Sequence, residues 1–268
     1  AEFEKFSADR SNPRYANSVA EAESRAQAEA ARRIEAQRQT VKLSDKWQRQ
    51  GTRVGPSGPR PVFVVTVIAV SILATVLTGM GPTAGSGRAP GLASEVFDGL
   101  AFVGTDALRA DKSPMASINR GEIWRLITPI FLHMTFQHIL FNCLMFYIMG
   151  RQIEWERGPY FLALFVLVVG LAANLGQALV PTLVGHYQPF GGLSGVIYGI
   201  FGYLWICSRT GQGRYFMPDF VVFVMLAWFV VCWLGELKVV DNLDNIANWN
   251  HTFGLLAGIT WAMRGAKN

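Results

Sequence analysis

The stretch PYFLALFVLVVGLAANLGQALVPTLVGHYQPFGGLSGVIYGIFGYLWICS, residues 159–208, runs for 50 residues without an Asp, Glu, Lys or Arg. A soluble domain carries about 25% charge and cannot leave so long a run unwetted. The run also exceeds the ~20 residues that one bilayer-spanning helix needs. Pro181, Gly185, Pro189, Gly191 and Gly192 interrupt it in the middle. It therefore reads as two spans joined by a re-entrant or surface loop, the second beginning near Leu193.

Working outward, the flanking sequence repeats the pattern. Pro61 to Gly87 holds 27 residues without a formal charge, Leu126 to Gly150 is a further apolar segment, Phe220 to Gly235 is bounded by Asp219 and Glu236, and Asn245 to Met263 supplies the last. Six spans are expected. Residues 88–125 mix charge, Gly and Pro with Phe97, Leu100, Phe102 and Val103, a composition suited to short helices lying at the membrane interface. The predicted fold class is all-α: a six-helix polytopic membrane bundle, residues 61–268, behind a helical N-terminal extension and linker, residues 1–60.

Composition supports this division. The chain is 51% apolar and 16% charged, and residues 1–60 hold 12 basic and 8 acidic side chains, leaving 12 and 11 for the other 208 residues. That remainder excludes a disordered chain, a collagen-like repeat, a disulfide scaffold and an ordinary soluble enzyme. Residues 17–40 are rich in Ala, Glu, Arg and Gln, with Glu21/Arg25 and Glu29/Arg33 at i,i+4, so a helix is expected there. Large apolar residues are scarce in it, which leaves it solvated or docked on a partner protein. Gly51 to Pro61 is the expected linker. A charged stretch precedes the first apolar one, so no cleavable signal peptide is expected.

Cys143, Cys207 and Cys232 each lie in an apolar run without Cys-x-x-Cys spacing and read as buried free thiols. The basic balance has no RNP-like or finger pattern beside it, so no nucleic acid is expected. Lys42, Lys46, Arg49, Arg53 and Arg60 precede the first span, Arg209 and Arg214 follow the fourth, and Arg264 and Lys267 close the chain. The loop before the last span carries Glu236, Asp241 and Asp244 against Lys238. The positive-inside rule then places both termini on the cytoplasmic or matrix side. The first loop, with five basic residues, runs partly against this, although it is long and also acidic.

Polar side chains inside apolar spans cost free energy and are functional candidates. His133, His138 and Asn142 fall in the second span, the last two at i,i+4; Ser194 and Tyr198, again i,i+4, open the fourth; Asn250 and His251 open the sixth. His251, Gly254 and Gly258 form one stripe, and glycines four apart admit a neighbouring helix closely. Gly195 and Gly199 offer a matching surface. If the stripes meet, Ser194 and His251 come within hydrogen-bond reach, and an imidazole base can activate a hydroxyl nucleophile. Asn142 and His138 can donate N–H groups to an oxyanion, joined by the backbone N–H of Ser194, while Gly192 lets the chain turn sharply before it.

Taken singly, each residue fits a cap, a structural histidine or a helix-packing amide. Together they form a nucleophile, a base and an oxyanion clamp. No Asp or Glu lies within these spans, which implies a dyad rather than a triad. A metal site is not expected, because the chain has four His and no H-E-x-x-H. No cofactor is expected either.

The ordered set Trp124-Arg125, His133, His138-Ile139-Leu140-Phe141-Asn142, Gly192-Leu193-Ser194-Gly195-Val196-Ile197-Tyr198-Gly199 and His251-x-x-Gly254-x-x-x-Gly258 resembles the signatures of the rhomboid intramembrane serine proteases. The resemblance runs from Pro61 to the C-terminus. It implies a dyad below the membrane surface, reached by water from the non-cytoplasmic side, with Ser194 as nucleophile and His251 as base. His138 and Asn142 would line the oxyanion hole, and Tyr198 would orient the imidazole in place of an acid. Glu154 with Gly158 resembles the family's structural loop, and Trp124-Arg125 its first-loop anchor, in which Arg125 satisfies backbone carbonyls. Two positions depart from the family: Asn250, where Ala is usual, and Met134-Thr135, where smaller residues are usual.

The implied activity is cleavage of transmembrane segments of other membrane proteins, near a small side chain where the helix unwinds, in a bacterial or organellar inner membrane. The alternative is a rhomboid-fold subunit or scaffold that binds a partner complex through residues 1–50 without proteolysis. A transporter is disfavoured, since the second to sixth spans hold no Asp, Glu, Lys or Arg well inside them.

Overall fold

A computed structural model describes residues 13, 16–51, 60–80, 91–183, 187–213, 215–239 and 246–265. Asp241, Asp244, His186, Arg214, Lys267 and most of the expected linker lie outside the described residues. The chain divides into two compact units, Ala1–Arg60 and Pro61–Asn268. The first is built on α1, Ala16–Gly51, whose Arg25 lies 3.5 Å from Glu21 and whose Arg33 lies 2.6 Å from Glu29. The side chains described on it are exposed.

The second unit is all-α among the described residues. Its helices are α2 (Val62–Thr78), α3 (Leu92–Leu100), α4 (Thr105–Asp111), α5 (Ala116–Asn119), α6 (Phe136–Arg157), α7 (Pro159–Leu183), α8 (Ser194–Thr210), α9 (Asp219–Glu236) and α10 (Asn248–Gly265). Two 3₁₀ turns, Ile123–Leu126 and Thr128–Phe131, lie between α5 and α6. Six of these helices, α2 and α6 to α10, have 17 to 25 residues. Two of them, in Pro159–Pro181 and Asp219–Glu236, are long and apolar enough to cross a membrane by length and composition alone. The others are shorter or carry the polar residues described below, which lowers their apolar content.

Helix boundaries follow local chemistry. The first span ends earlier than expected, at Thr78, because Gly79 takes a left-handed conformation (φ +58°) that closes α2. The second begins later. Pro129 sits in a 3₁₀ turn, and the hydroxyl of Thr135 accepts from His138 N at 3.1 Å, so α6 starts at Phe136 and His133 precedes it. Pro181 does not end α7; it lies in the last turn, where little helix remains to disrupt, and the helix stops two residues later. In α2 the hydroxyls of Ser71 and Thr75 donate to the carbonyls of Val67 and Ser71, so its buried polar groups are satisfied within the helix.

The core is formed by the stripe Val64, Val67 of α2 together with Phe146, Met149 and Ile153 of α6, Phe165 and Val169 of α7, and Ile200, Phe201 and Leu204 of α8. Helix α10 makes its most extensive contacts with α8 and then with α7. A Cβ added to Gly254 would fall on the carbonyl oxygen of Gly195, and one added to Gly258 on that of Gly199. The two helices therefore meet backbone to backbone. On the other side the ring of Phe253 occupies the space where a Cβ of Gly176 in α7 would stand.

Gly254→Ala and Gly258→Ala are each expected to destabilise the protein by about 1–3 kcal/mol through overpacking. Gly99→Ala, where an added methyl meets nothing within 4 Å, serves as the control and should be neutral or stabilising. Unfolding in micelles followed by circular dichroism measures the difference; equal effects at all three positions would contradict a backbone seam.

Candidate active site

Three helix starts converge. Ser194 is the first residue of α8, His251 lies in the first turn of α10, and His138 and Asn142 lie in the first two turns of α6. The Oγ of Ser194 and Nε2 of His251 are 2.9 Å apart. The glycine seam is what permits this, since Gly195 directly follows Ser194, Gly254 lies three residues after His251 on the same helix face, and the two allow the helix axes to approach.

His251 is buried, and its Nδ1 has no hydrogen-bond partner among the described residues. An acid that would hold the ring from that side is absent among them. The ring is instead covered by Tyr198, with centroids 4.7 Å apart and planes at 35°. Tyr198 is fixed in turn, its hydroxyl donating to the carbonyl of Met225 in α9 at 3.2 Å.

Gly192 adopts φ +116°, and its N–H donates to the carbonyl of Pro129 at 2.9 Å. A Cβ at this residue would stand 2.6 Å from His138 Nε2 and 3.2 Å from Asn142 Nδ2. Both side-chain nitrogens thus face the backbone just before Ser194. Asn142 Nδ2 is buried and has no acceptor among the described residues. A buried donor without an acceptor is costly, and one aimed beside a hydroxyl-imidazole pair is suited to a negative oxygen that arrives with a reactant. The positive ends of α6, α8 and α10 lie in the same place and favour the same charge. His133 is fully buried, edge-on to His138 with centroids 4.9 Å apart, and its Nδ1 lies 3.2 Å from the carbonyl of Phe131.

The remaining residues singled out in the sequence lie outside this cluster. Arg125 is buried and donates to the carbonyls of Asp98 and, at 2.8 Å, Ala101, while pairing with Glu122; Trp124 Nε1 donates to the carbonyl of Gly99 at 3.2 Å. Together they tie α3 to the 3₁₀ turns. Glu154 caps α2, its two carboxylate oxygens each accepting from a backbone N–H, Phe63 and Val64, at 2.9 Å. Gly158 (φ +86°) joins α6 to α7. The first loop packs on the segment leading into α8, for Phe102 lies on Phe190, just before Gly191, with centroids 5.6 Å apart. Burial pushes the phenol of Tyr187 in the same segment well above its ordinary value, with Arg125 opposing, so it remains a neutral donor at working pH.

A model of the Rhomboid domain matches residues 120–268. The chain belongs to the rhomboid family. It is 29% identical over 157 residues to proteins named Rhomboid protease GlpG from Salmonella paratyphi A and Salmonella newport, and 31% identical to the one from Salmonella choleraesuis. Each comparison covers 58% of this chain and 53% of the relative, so the chain spans about half the length of the curated relatives it matches. As a rhomboid-family chain it is an all-α integral membrane protein. The arm before residue 61 lies outside the matched domain.

The sequence reading does not single out Asn174, Gln177 or Asn248. Asn174 and Gln177 are buried polar residues in the charge-free run 159–208, so the rule that selected His138 and Asn142 applies to them equally. Asn248 Nδ2 donates to the carbonyl of Cys232 at 3.1 Å and to Glu236 at 3.2 Å, tying α10 to α9. Among the described residues no three His, Cys, Asp or Glu come together as a metal-binding group.

Gly192→Ala is expected to destabilise by about 1–2 kcal/mol from the left-handed backbone alone, and to shift the ring resonances of His138, whose Nε2 the methyl would meet. Thermal unfolding and histidine side-chain NMR report both; an unchanged spectrum would contradict the close approach.

Proposed function

We propose that this rhomboid-family protein is an intramembrane serine endopeptidase that uses Ser194 and His251 as a dyad and cuts transmembrane segments of other proteins. The observation that carries the reading is the 2.9 Å contact between Ser194 Oγ and His251 Nε2 beside the unpartnered Nδ2 of Asn142. The names of the relatives support the same chemistry.

In this mechanism Ser194 Oγ attacks the scissile carbonyl carbon while its proton passes to His251 Nε2. The carbonyl oxygen becomes an oxyanion and accepts hydrogen bonds from Asn142 Nδ2 and the His138 ring. The intermediate then collapses, the C–N bond breaks, and the leaving amine takes the proton from His251. Water, deprotonated by the same nitrogen, hydrolyses the acyl-serine ester. With no acid at Nδ1, the Tyr198 ring and the α10 backbone set the imidazole's orientation. A segment that unwinds is needed as substrate, because a helix keeps its carbonyls inside its own hydrogen bonds.

The ends of α6, α8 and α10 opposite the dyad carry Arg157, Arg209 and Arg264. By the positive-inside rule those ends face the cytoplasm or matrix, which opens the dyad to the other side of the membrane.

A serine-directed fluorophosphonate is expected to label the folded protein, with labelling lost in Ser194→Ala. Asn142→Ala should lower kcat on a transmembrane substrate by about 10²–10³, with KM little changed. A folded protein that neither labels nor cleaves would overturn the proposal.

A further inference from the structure

Helix α10 begins with the problem common to every helix: its first N–H groups have no partner within the helix. His251 N makes the first intrahelical bond, to the carbonyl of Ala247 at 3.2 Å, so the N–H of Asn250 must find its acceptor elsewhere. It finds it on another helix. Gln177 Oε1 of α7 accepts from Asn250 N at 3.0 Å.

The Asn250 side chain extends the tie. Its Nδ2 donates to Asn174 Oδ1 at 3.1 Å, and Asn174 Nδ2 donates to the carbonyl of Leu126 at 2.9 Å. All three amides are buried, Asn174 at 1%, Asn250 at 4% and Gln177 at 9% exposure. The Asn250 carboxamide also fills the place where a Cβ of Gly195 would stand, directly after Ser194. Asn250 therefore touches the residue following the nucleophile and precedes the base in sequence. The chain of bonds ends in the 3₁₀ turn next to Pro129, whose carbonyl holds Gly192.

His251 has no partner on Nδ1 among the described residues, so side-chain hydrogen bonding to an acid does not aim its ring. Its aim depends on the rotation and height of the first turn of α10. We propose that Asn174, Gln177 and Asn250 are positioning residues that lock this turn to α7 and so set His251 Nε2 against Ser194 Oγ. Asn250, in the place where the family usually carries Ala, makes the side-chain half of the lock; Gln177 makes the backbone half. The role rests on the reading of Ser194 and His251 as a dyad.

The test measures the rate of fluorophosphonate labelling and the kcat and KM for a transmembrane substrate in the full chain. Gln177→Met removes the acceptor at similar size, Gln177→Glu retains an acceptor, and Asn250→Ala removes the side-chain bond. Val67→Ala, in the α2 core, is the control for general loss of stability. Labelling and kcat are expected to fall about tenfold to a hundredfold in Gln177→Met and Asn250→Ala, with KM little changed and partial recovery in Gln177→Glu. Val67→Ala should retain the wild-type labelling rate below its melting temperature. Wild-type rates in folded Gln177→Met and Asn250→Ala would overturn the proposal, as would an equal loss in Val67→Ala at matched stability. Should Gln177→Met not fold, Gln177→Glu and Asn250→Ala decide by the same criteria, and should neither of these fold, the proposal falls to a purely structural role. A wild-type protein that fails to label at all counts against the dyad itself, which separates the two failures.

Discussion

The geometry of the candidate active site depends on one contact without side chains: the backbone of α8 against the backbone of α10 at Gly195/Gly254 and Gly199/Gly258. A serine and a histidine reach short from their helices, and a 2.9 Å approach between them requires axes closer than ordinary side chains allow. In lipid, where burial of apolar surface gives helices little reason to associate, such close packing is itself a source of attraction. The seam thus brings the pair together and holds it.

Buried polar groups complete what the seam begins. Glu154 holds the start of α2, Arg125 gathers the carbonyls at the end of α3, and Asn174, Gln177 and Asn250 connect α7 with the first turn of α10. Each satisfies backbone groups that helix ends or loops leave open, which is the condition for irregular backbone at membrane depth. By length and composition alone two of the six long helices read as spans, and α2 and α8, with 17 residues each, fall short in length. In α6 and α10, which are long enough, polar residues such as His138, Asn142, Asn248 and Asn250 lower the apolar content.

Much of this was legible in the sequence. Charge-free runs of known length pointed to a bundle of long apolar helices, and the i,i+4 spacing of His138 with Asn142 and of Ser194 with Tyr198 put each pair on one face. Boundaries were less legible, since the cap at Thr135 and the left-handed Gly79 act through local geometry that composition does not reveal. The capping role of Glu154 joins residues 90 apart and is invisible to any periodicity. Asn174 and Gln177 were open to the same argument as Asn142. Their place near Ser194 and His251, however, depends on which helix α7 meets, and that only three-dimensional packing decides.

Gly158 alone separates α6 from α7, with its N–H bonded back to Glu154. A single-residue joint leaves no slack. The two helices form one tightly joined hairpin, carrying Asn142 on one arm and Asn174 with Gln177 on the other. Helix α9 by contrast turns Phe220, Phe223, Trp228 and Val230 outward, a hydrocarbon face suited to the lipid tails around the bundle.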